Sequence, residues 1–200
     1  MSHNTRSELV RLANTVNNLD QFGIIIKNLS EKIPIDQRRD YIDSLGIFYY
    51  QNGYFRHALK AFELSLSLST SPSQQMGNLI DIGKTYNKLE FYTDAISYYE
   101  KALKIAIDSG AKDSEAGCYI NIGVVYRKMG GYEEAISYYE KALKIAIDID
   151  DKYVESLCYK NLGNGYSDLG NKQTAQFYYE KATRLRNESG IQHEEFRFKK

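Results

Sequence analysis

Residues 95–108 read AISYYEKALKIAID, and residues 135–148 read the same fourteen letters forty positions later. A fixed period of this length marks a stack of supersecondary units, each unable to cover its own apolar face without a neighbour. The chain is therefore constrained to a repeat array that grows by nearest-neighbour contacts, and its length of 200 residues does not count domains. Alignment on a glycine that follows an aliphatic residue extends the array to four repeats: Leu45-Gly46, Ile82-Gly83, Ile122-Gly123 and Leu162-Gly163. A tyrosine stands three residues after each glycine (Tyr49, Tyr86, Tyr126, Tyr166) and an alanine twelve after it (Ala58, Ala95, Ala135, Ala175). Sixteen after it comes an aromatic: Phe62, Tyr99, Tyr139 or Tyr179.

These offsets approximate multiples of a helical turn, so the landmarks of each repeat fall on one face of two successive helices. A glycine inside a helix costs about 1 kcal/mol relative to alanine. Four of them at one register predict that a neighbouring helix passes too close for a Cβ. Asn52-Gly53, Gly130-Gly131 and Gly170-Asn171 mark the turn inside three repeats, while the second carries Glu90-Phe91 there. Ser71-Pro72 reads as a helix start, and Gly110 as a helix stop.

The spacing of Leu-Gly, tyrosine, alanine and aromatic, completed by Ala102, Ala142 and Ala182, resembles the tetratricopeptide repeat family over residues 40–186. The repeat at Gly46 departs from the pattern, with Ser65 at the last alanine position. The resemblance implies an all-α fold, a right-handed superhelical α-solenoid of stacked antiparallel helix pairs. The repeats are expected at residues 39–73, 76–110, 116–150 and 156–187, with a tail at 188–200. The forty-residue period is similar to the long variety of the family, in which the extra residues lengthen the second helix and the link after it. Upstream, Leu12-Ala13, Val16, Ile25 and Leu29 repeat the offsets in degraded form. Residues 1–38 read either as an irregular capping repeat or as an unrelated amphipathic hairpin. Either way Ser7 to Lys32 is expected to be helical, Pro34 ends the segment, and Asp36 or Asp40 begins the next helix.

Twenty-six basic residues balance 26 acidic ones, so no global field favours nucleic acid or anionic lipid, and neither partner is expected. The sequence contains no apolar run of membrane-spanning length and no hydrophobic signal core, which predicts a cytoplasmic protein. Cys118 and Cys158 occupy equivalent places in two repeats and read as reduced, half-buried thiols. His3, His57 and His193 are scattered, and no catalytic constellation, metal set or cofactor motif is present. Gly163-Asn164-Gly165 lies within a helix and lacks the strand and third glycine of a dinucleotide loop. Glu100–Lys104 and Glu140–Lys144 read as i,i+4 pairs on solvated helix faces. Among the tyrosines, Tyr99, Tyr139 and Tyr179 are expected in the core, and Tyr98, Tyr138 and Tyr178 at the interface with the next repeat.

The resemblance further implies a non-catalytic scaffold whose first helices line a concave groove for an extended or helical peptide segment. Carried over by position, the groove presents Lys84 and Lys88 in the second repeat, Asn121, Arg127 and Lys128 in the third, and Lys160, Asn161 and Asn164 in the fourth. The equivalent positions also hold Ile120, Val124 and Asp81. Asn121 and Asn161 each offer a donor and an acceptor, which matches the peptide backbone. The cations suit acidic side chains or a terminal carboxylate of a protein or peptide partner. The family's carboxylate clamp is incomplete: Lys160 and Asn164 match its first part, and no further repeat follows them. A second function class, a peptide-sensing module whose superhelix changes shape on binding, needs an output domain for which residues 1–38 are poor material. The last repeat presents Tyr178, Ala182 and Leu185 with only Ile191, Phe196 and Phe198 to cover them, which predicts weak self-association or a folded-back tail.

Overall fold

The computed structural model describes residues 19–31 and 33–189. Within them every regular element is an α-helix: α1 (Leu19–Ser30), α2 (Ile35–Gln51), α3 (Phe55–Ser67), α4 (Pro72–Lys88), α5 (Tyr92–Ser109), α6 (Lys112–Lys128), α7 (Tyr132–Asp148), α8 (Lys152–Asp168) and α9 (Lys172–Glu188). The chain falls into two compact units, Met1–Ile105 and Ala106–Lys200. The expected helix at residues 7–18 and the tail residues Ile191, Phe196 and Phe198 lie outside the described residues.

The helix bounds correct the expected use of the long period. The link after the second helix spans only 149–151, and α6, α7, α8 and α9 each have 17 residues. Both helices are extended equally, because added residues bond in the helical ladder whereas a longer link leaves backbone groups to solvent. The first helices begin at residues 35, 72, 112 and 152, and the start read at Ser71-Pro72 is the observed one. Capping sets these starts: the Ser71 hydroxyl accepts from the Gln74 N–H, and the Asp151 carboxylate accepts from the Val154 N–H. At α2, Pro34 immediately precedes the helix, and Arg38 donates to the carbonyls of Ile33 at 2.9 Å and Glu31 at 3.1 Å, fastening the turn.

Glu90 makes the turn of the second repeat, where the sequence offers no glycine. Its φ is +65°, and it occupies the register held by Gly53, Gly130 and Gly170, whose φ values are +80°, +86° and +79°. The turn inside each of these four helix pairs thus passes through one left-handed residue, which only glycine adopts without cost.

In the first unit α1 lays Phe22 and Ile26 onto the α2–α3 pair, in a core with Ile42, Leu45, Phe48, Tyr49, Ala58, Ala61, Phe62 and Ile82. Ser65, which replaces the usual alanine, belongs to a polar cluster buried beside this core. Asn78 donates to the Asp43 carboxylate at 2.6 Å and to the Ser65 hydroxyl at 3.1 Å, and accepts from Ser69 at 2.8 Å. The equivalent residues in the second unit are apolar: Ile120, Ala142, Ala146 and Cys158, all of them buried. A polar set this complete satisfies its own donors and acceptors, so one joint is hydrogen-bonded where the other is packed.

The helical glycines fit the close-approach expectation, and the approaching group is an aromatic ring. A Cβ on Gly46, Gly83, Gly123 or Gly163 would stand 2.5, 2.7, 2.6 or 2.5 Å from the ring of Phe62, Tyr99, Tyr139 or Tyr179. Each ring comes from the second helix of the same pair. The remaining tyrosines also stack inside the pairs: Tyr98 on Tyr86, Tyr138 on Tyr126 and Tyr178 on Tyr166.

The predicted Glu100–Lys104 and Glu140–Lys144 contacts do not form. Among the described residues the ion pairs within helices join other positions, such as Lys112–Glu115 at 2.7 Å and Lys152–Glu155 at 3.2 Å. Both cysteines are fully rather than half buried. Burial, followed by Asp151 and Glu155, pushes the Cys158 thiol up to about 12, so it remains protonated and a poor metal ligand.

Candidate functional site

The groove positions separate by unit. In the first unit, Lys84 and Lys88 lie on α4. The Lys84 ammonium pairs with Asp81 one turn before it at 3.0 Å, so part of its charge is already answered. Lys88 is exposed at the end of the helix.

In the second unit α6 and α8 are in contact, and they bring together Asn121, Val124, Arg127 and Lys128 from one helix with Lys160, Asn161, Asn164 and Asp168 from the other. Helical periodicity explains the set: residues two before, one after and four after the glycine follow one another down a single face. A Cβ on Gly117, which belongs to the same face, would meet nothing within 4 Å. Ile120 departs from this face, being only 8% exposed and packed with Ala142, Ile145 and Cys158.

The side-chain amides of Asn121 and Asn161 are half-buried and hydrogen-bond no described residue. Lys128 and Lys160 are exposed. Two other predicted residues are engaged inside the protein. Arg127 donates to the Asp168 carboxylate at 2.8 Å across the two helices. Asn164 accepts from the Tyr179 hydroxyl at 2.9 Å.

The sequence reading took Tyr139 for packing alone and missed its hydroxyl. The ring is fully buried, and the proton of its buried hydroxyl reaches no acceptor among the described residues, while the Arg127 guanidinium lies against the hydroxyl oxygen. Comparison of the two helix pairs supplies the reason. Tyr179 is served by Asn164, the residue after Gly163, whereas the residue after Gly123 is Val124, which has no acceptor. Burial pushes the Tyr139 phenol up to about 12, the nearby Arg127 guanidinium pulls it down, and Asp168 raises it again. The group therefore stays a neutral donor, flanked by an ion pair. A sequence signal did exist, in the single difference between Val124 and Asn164.

The last helix is more polar than its counterpart. Gln176, Thr183 and Arg186 in α9 replace Ile136, Leu143 and Ala146 of α7. Ile136 and Ala146 are buried in the second unit, so α9 presents hydrophilic groups where α7 packs.

Among the described residues no helix is long and apolar enough to cross a membrane, and no group of three or more His, Cys, Asp or Glu side chains is placed to hold a metal ion. Paired helices with the same landmarks and an open, amide-bearing first-helix face define an all-α helical-repeat solenoid of the protein-interaction class. The tetratricopeptide repeat model matches residues 75–148 and 116–188, more than half of the chain. The protein belongs to the tetratricopeptide repeat family, a fold that is generally non-catalytic.

Solved structures agree on the fold. Aspartyl phosphate phosphatase F from Bacillus subtilis is similar with a TM-score of 0.75 at 17% identity, over 86% of this chain and 49% of that one. A Rap protein complexed with Competence and Sporulation Factor gives 0.70 at 17% identity, over 84% of this chain and 48% of that one. A putative kinesin light chain from Podospora anserina with nearly identical TPR-like repeats gives 0.69 at 13% identity, over 96% and 100%. The chain thus spans about half the length of the Rap protein and of the phosphatase. No curated protein sequence gives a significant match.

Proposed function

We propose that the protein is a non-catalytic interaction module and that the α6–α8 face binds an extended segment of a partner protein. The observation that carries this reading is the pair of open amides, Asn121 and Asn161, at equivalent places on adjacent first helices. Half-buried amides without internal partners lose hydrogen bonds to water only at a cost, and a peptide backbone restores both donor and acceptor. Lys128 and Lys160 add positive charge on the same face, which favours a segment of acidic character. The Rap protein of the same fold has been solved complexed with Competence and Sporulation Factor, which supports ligand binding as a use of such a solenoid.

An array of random dodecapeptides, with hits quantified by fluorescence anisotropy in solution, tests the reading. Asn121→Ala combined with Asn161→Ala should weaken the hits about 10- to 30-fold, from the loss of two hydrogen bonds of about 1 kcal/mol each. Equal binding by the double variant would remove the α6–α8 face as the site.

A further inference from the structure

The ion pair beside the Tyr139 hydroxyl, whose buried proton has no acceptor, has a composition that points to a ligand. Arg127 on α6 is held by a carboxylate, Asp168, which reaches it from α8 at 2.8 Å. Each side chain is 33% exposed, so the pair sits at the surface of the face rather than in the core. A partly exposed pair of this kind is weak, and another carboxylate can replace its acid at little cost. Next to it lies the one feature that the fold leaves unsatisfied at this point, the buried Tyr139 donor. Its counterpart Tyr179 has an internal acceptor in Asn164, and Tyr139 faces Val124 at that register. The place therefore supplies a guanidinium and a neutral hydroxyl, two donors whose common acceptor is an anionic oxygen.

We propose that Arg127, Tyr139 and Asp168 form a latched subsite for a carboxylate of the bound segment. In the free protein Asp168 occupies Arg127. On binding, the incoming carboxylate takes over the guanidinium, Asp168 turns to solvent, and the Tyr139 hydroxyl that the pair covered becomes a second donor to the ligand. The subsite rests on the peptide-binding reading of this face and adds a specificity to it: acidic segments are selected, and Asp168 sets the threshold. Competition by Asp168 is a form of self-inhibition, because a neutral segment cannot displace it.

The test uses the full chain and peptides from the array in matched forms, with Glu or Gln at each acidic position and with a free or amidated C-terminus. Asp168→Asn should tighten binding of acidic peptides about fivefold, the range of a partly exposed ion pair, and leave their Gln forms unchanged. Arg127→Gln should erase the preference for Glu over Gln. Tyr139→Phe should weaken the acidic peptides several-fold with little change in thermal stability, since the hydroxyl proton has no internal acceptor to lose and Arg127 keeps Asp168 as its partner. A purely structural tyrosine would not show that separation. Dependence on Glu assigns the carboxylate to a side chain, and dependence on the free terminus assigns it to a chain end.

Equal affinity for the Glu and Gln forms and for the free and amidated forms, or no tightening in Asp168→Asn, would overturn the subsite. Where no array peptide binds at all, the peptide-binding reading fails, and nitrogen-15 NMR with glutarate judges the subsite separately. Movement of the Arg127 Nε–H resonance, larger in Asp168→Asn than in wild type, supports it. An unmoved resonance in both overturns it.

Discussion

Gly123→Ala is the substitution that most directly tests how the helix pairs are assembled. The new Cβ would lie 2.6 Å from Cε1 and 2.9 Å from Cδ1 of the Tyr139 ring, and 3.1 Å from the Ala135 carbonyl oxygen. The ring has nowhere to go: Tyr139 is fully buried among Ala135, Ile136 and Leu162. Forcing a methyl group into such a core costs about 1–3 kcal/mol. Alanine recovers about 1 kcal/mol of helix propensity over glycine. Because the ring is caged, the upper part of that range applies, about 2–3 kcal/mol, and the expected net loss is about 1–2 kcal/mol.

Gly163→Ala is the matched control. Its Cβ would stand 2.5 Å from the Tyr179 ring, an even closer contact. Tyr179 is only half-buried, however, and can swing aside at the cost of its 2.9 Å hydrogen bond to Asn164. That bond is worth about 1 kcal/mol, which the propensity gain offsets, so the control should be nearly neutral. Urea denaturation followed by circular dichroism at constant protein concentration measures both, and the Tyr139→Leu background completes a double-mutant cycle. In that background Gly123→Ala should turn from destabilising to neutral or stabilising. If Gly123→Ala is as stable as wild type, or the cycle shows no coupling, the ring is not the reason for the glycine.

Two further outcomes follow from other parts of the fold. Glu90 is exposed with φ +65°, so Glu90→Gly relieves a left-handed residue without removing a contact of the core. It should raise the thermal midpoint by a few degrees, equivalent to about 0.5–1 kcal/mol, and a lowered midpoint would contradict the strain argument. The Asp43 carboxyl is raised above the ordinary range, chiefly by burial and then by Asp81, against the opposing effects of Asn78, Arg39 and Ser65. The folded chain therefore binds its proton more tightly than the unfolded one, and this group makes stability rise as pH falls through its folded pKa toward the ordinary carboxylate value. Carbon-13 NMR titration should show the elevated midpoint, and Asp43→Asn should remove that part of the pH slope; a midpoint at or below the ordinary value would reverse the sign and refute it.

The repeat architecture was legible because its signals are local and are written several times. Gly46, Gly83, Gly123 and Gly163 each stand sixteen residues before an aromatic, and a spacing repeated in this way survives variation at any one place. The cap at Ser71 was equally local, whereas the equivalent cap at Asp151 was not read from the sequence. The open amides, Asn121 and Asn161, were found by position alone.

What the sequence could not decide was which polar groups would find one another. Arg127 and Asp168 are 41 residues apart, and only the docking of α8 against α6 turns two groove positions into an ion pair. Ser65 looked like a defect in the repeat until α2, α3 and α4 surrounded it with Asp43 and Asn78. Tyr139 and Tyr179 are the same letter at the same register. Helix periodicity determines that both rings cover a glycine, but partnership of a hydroxyl depends on an acceptor about 3 Å away on another helix, a length that packing sets and periodicity does not.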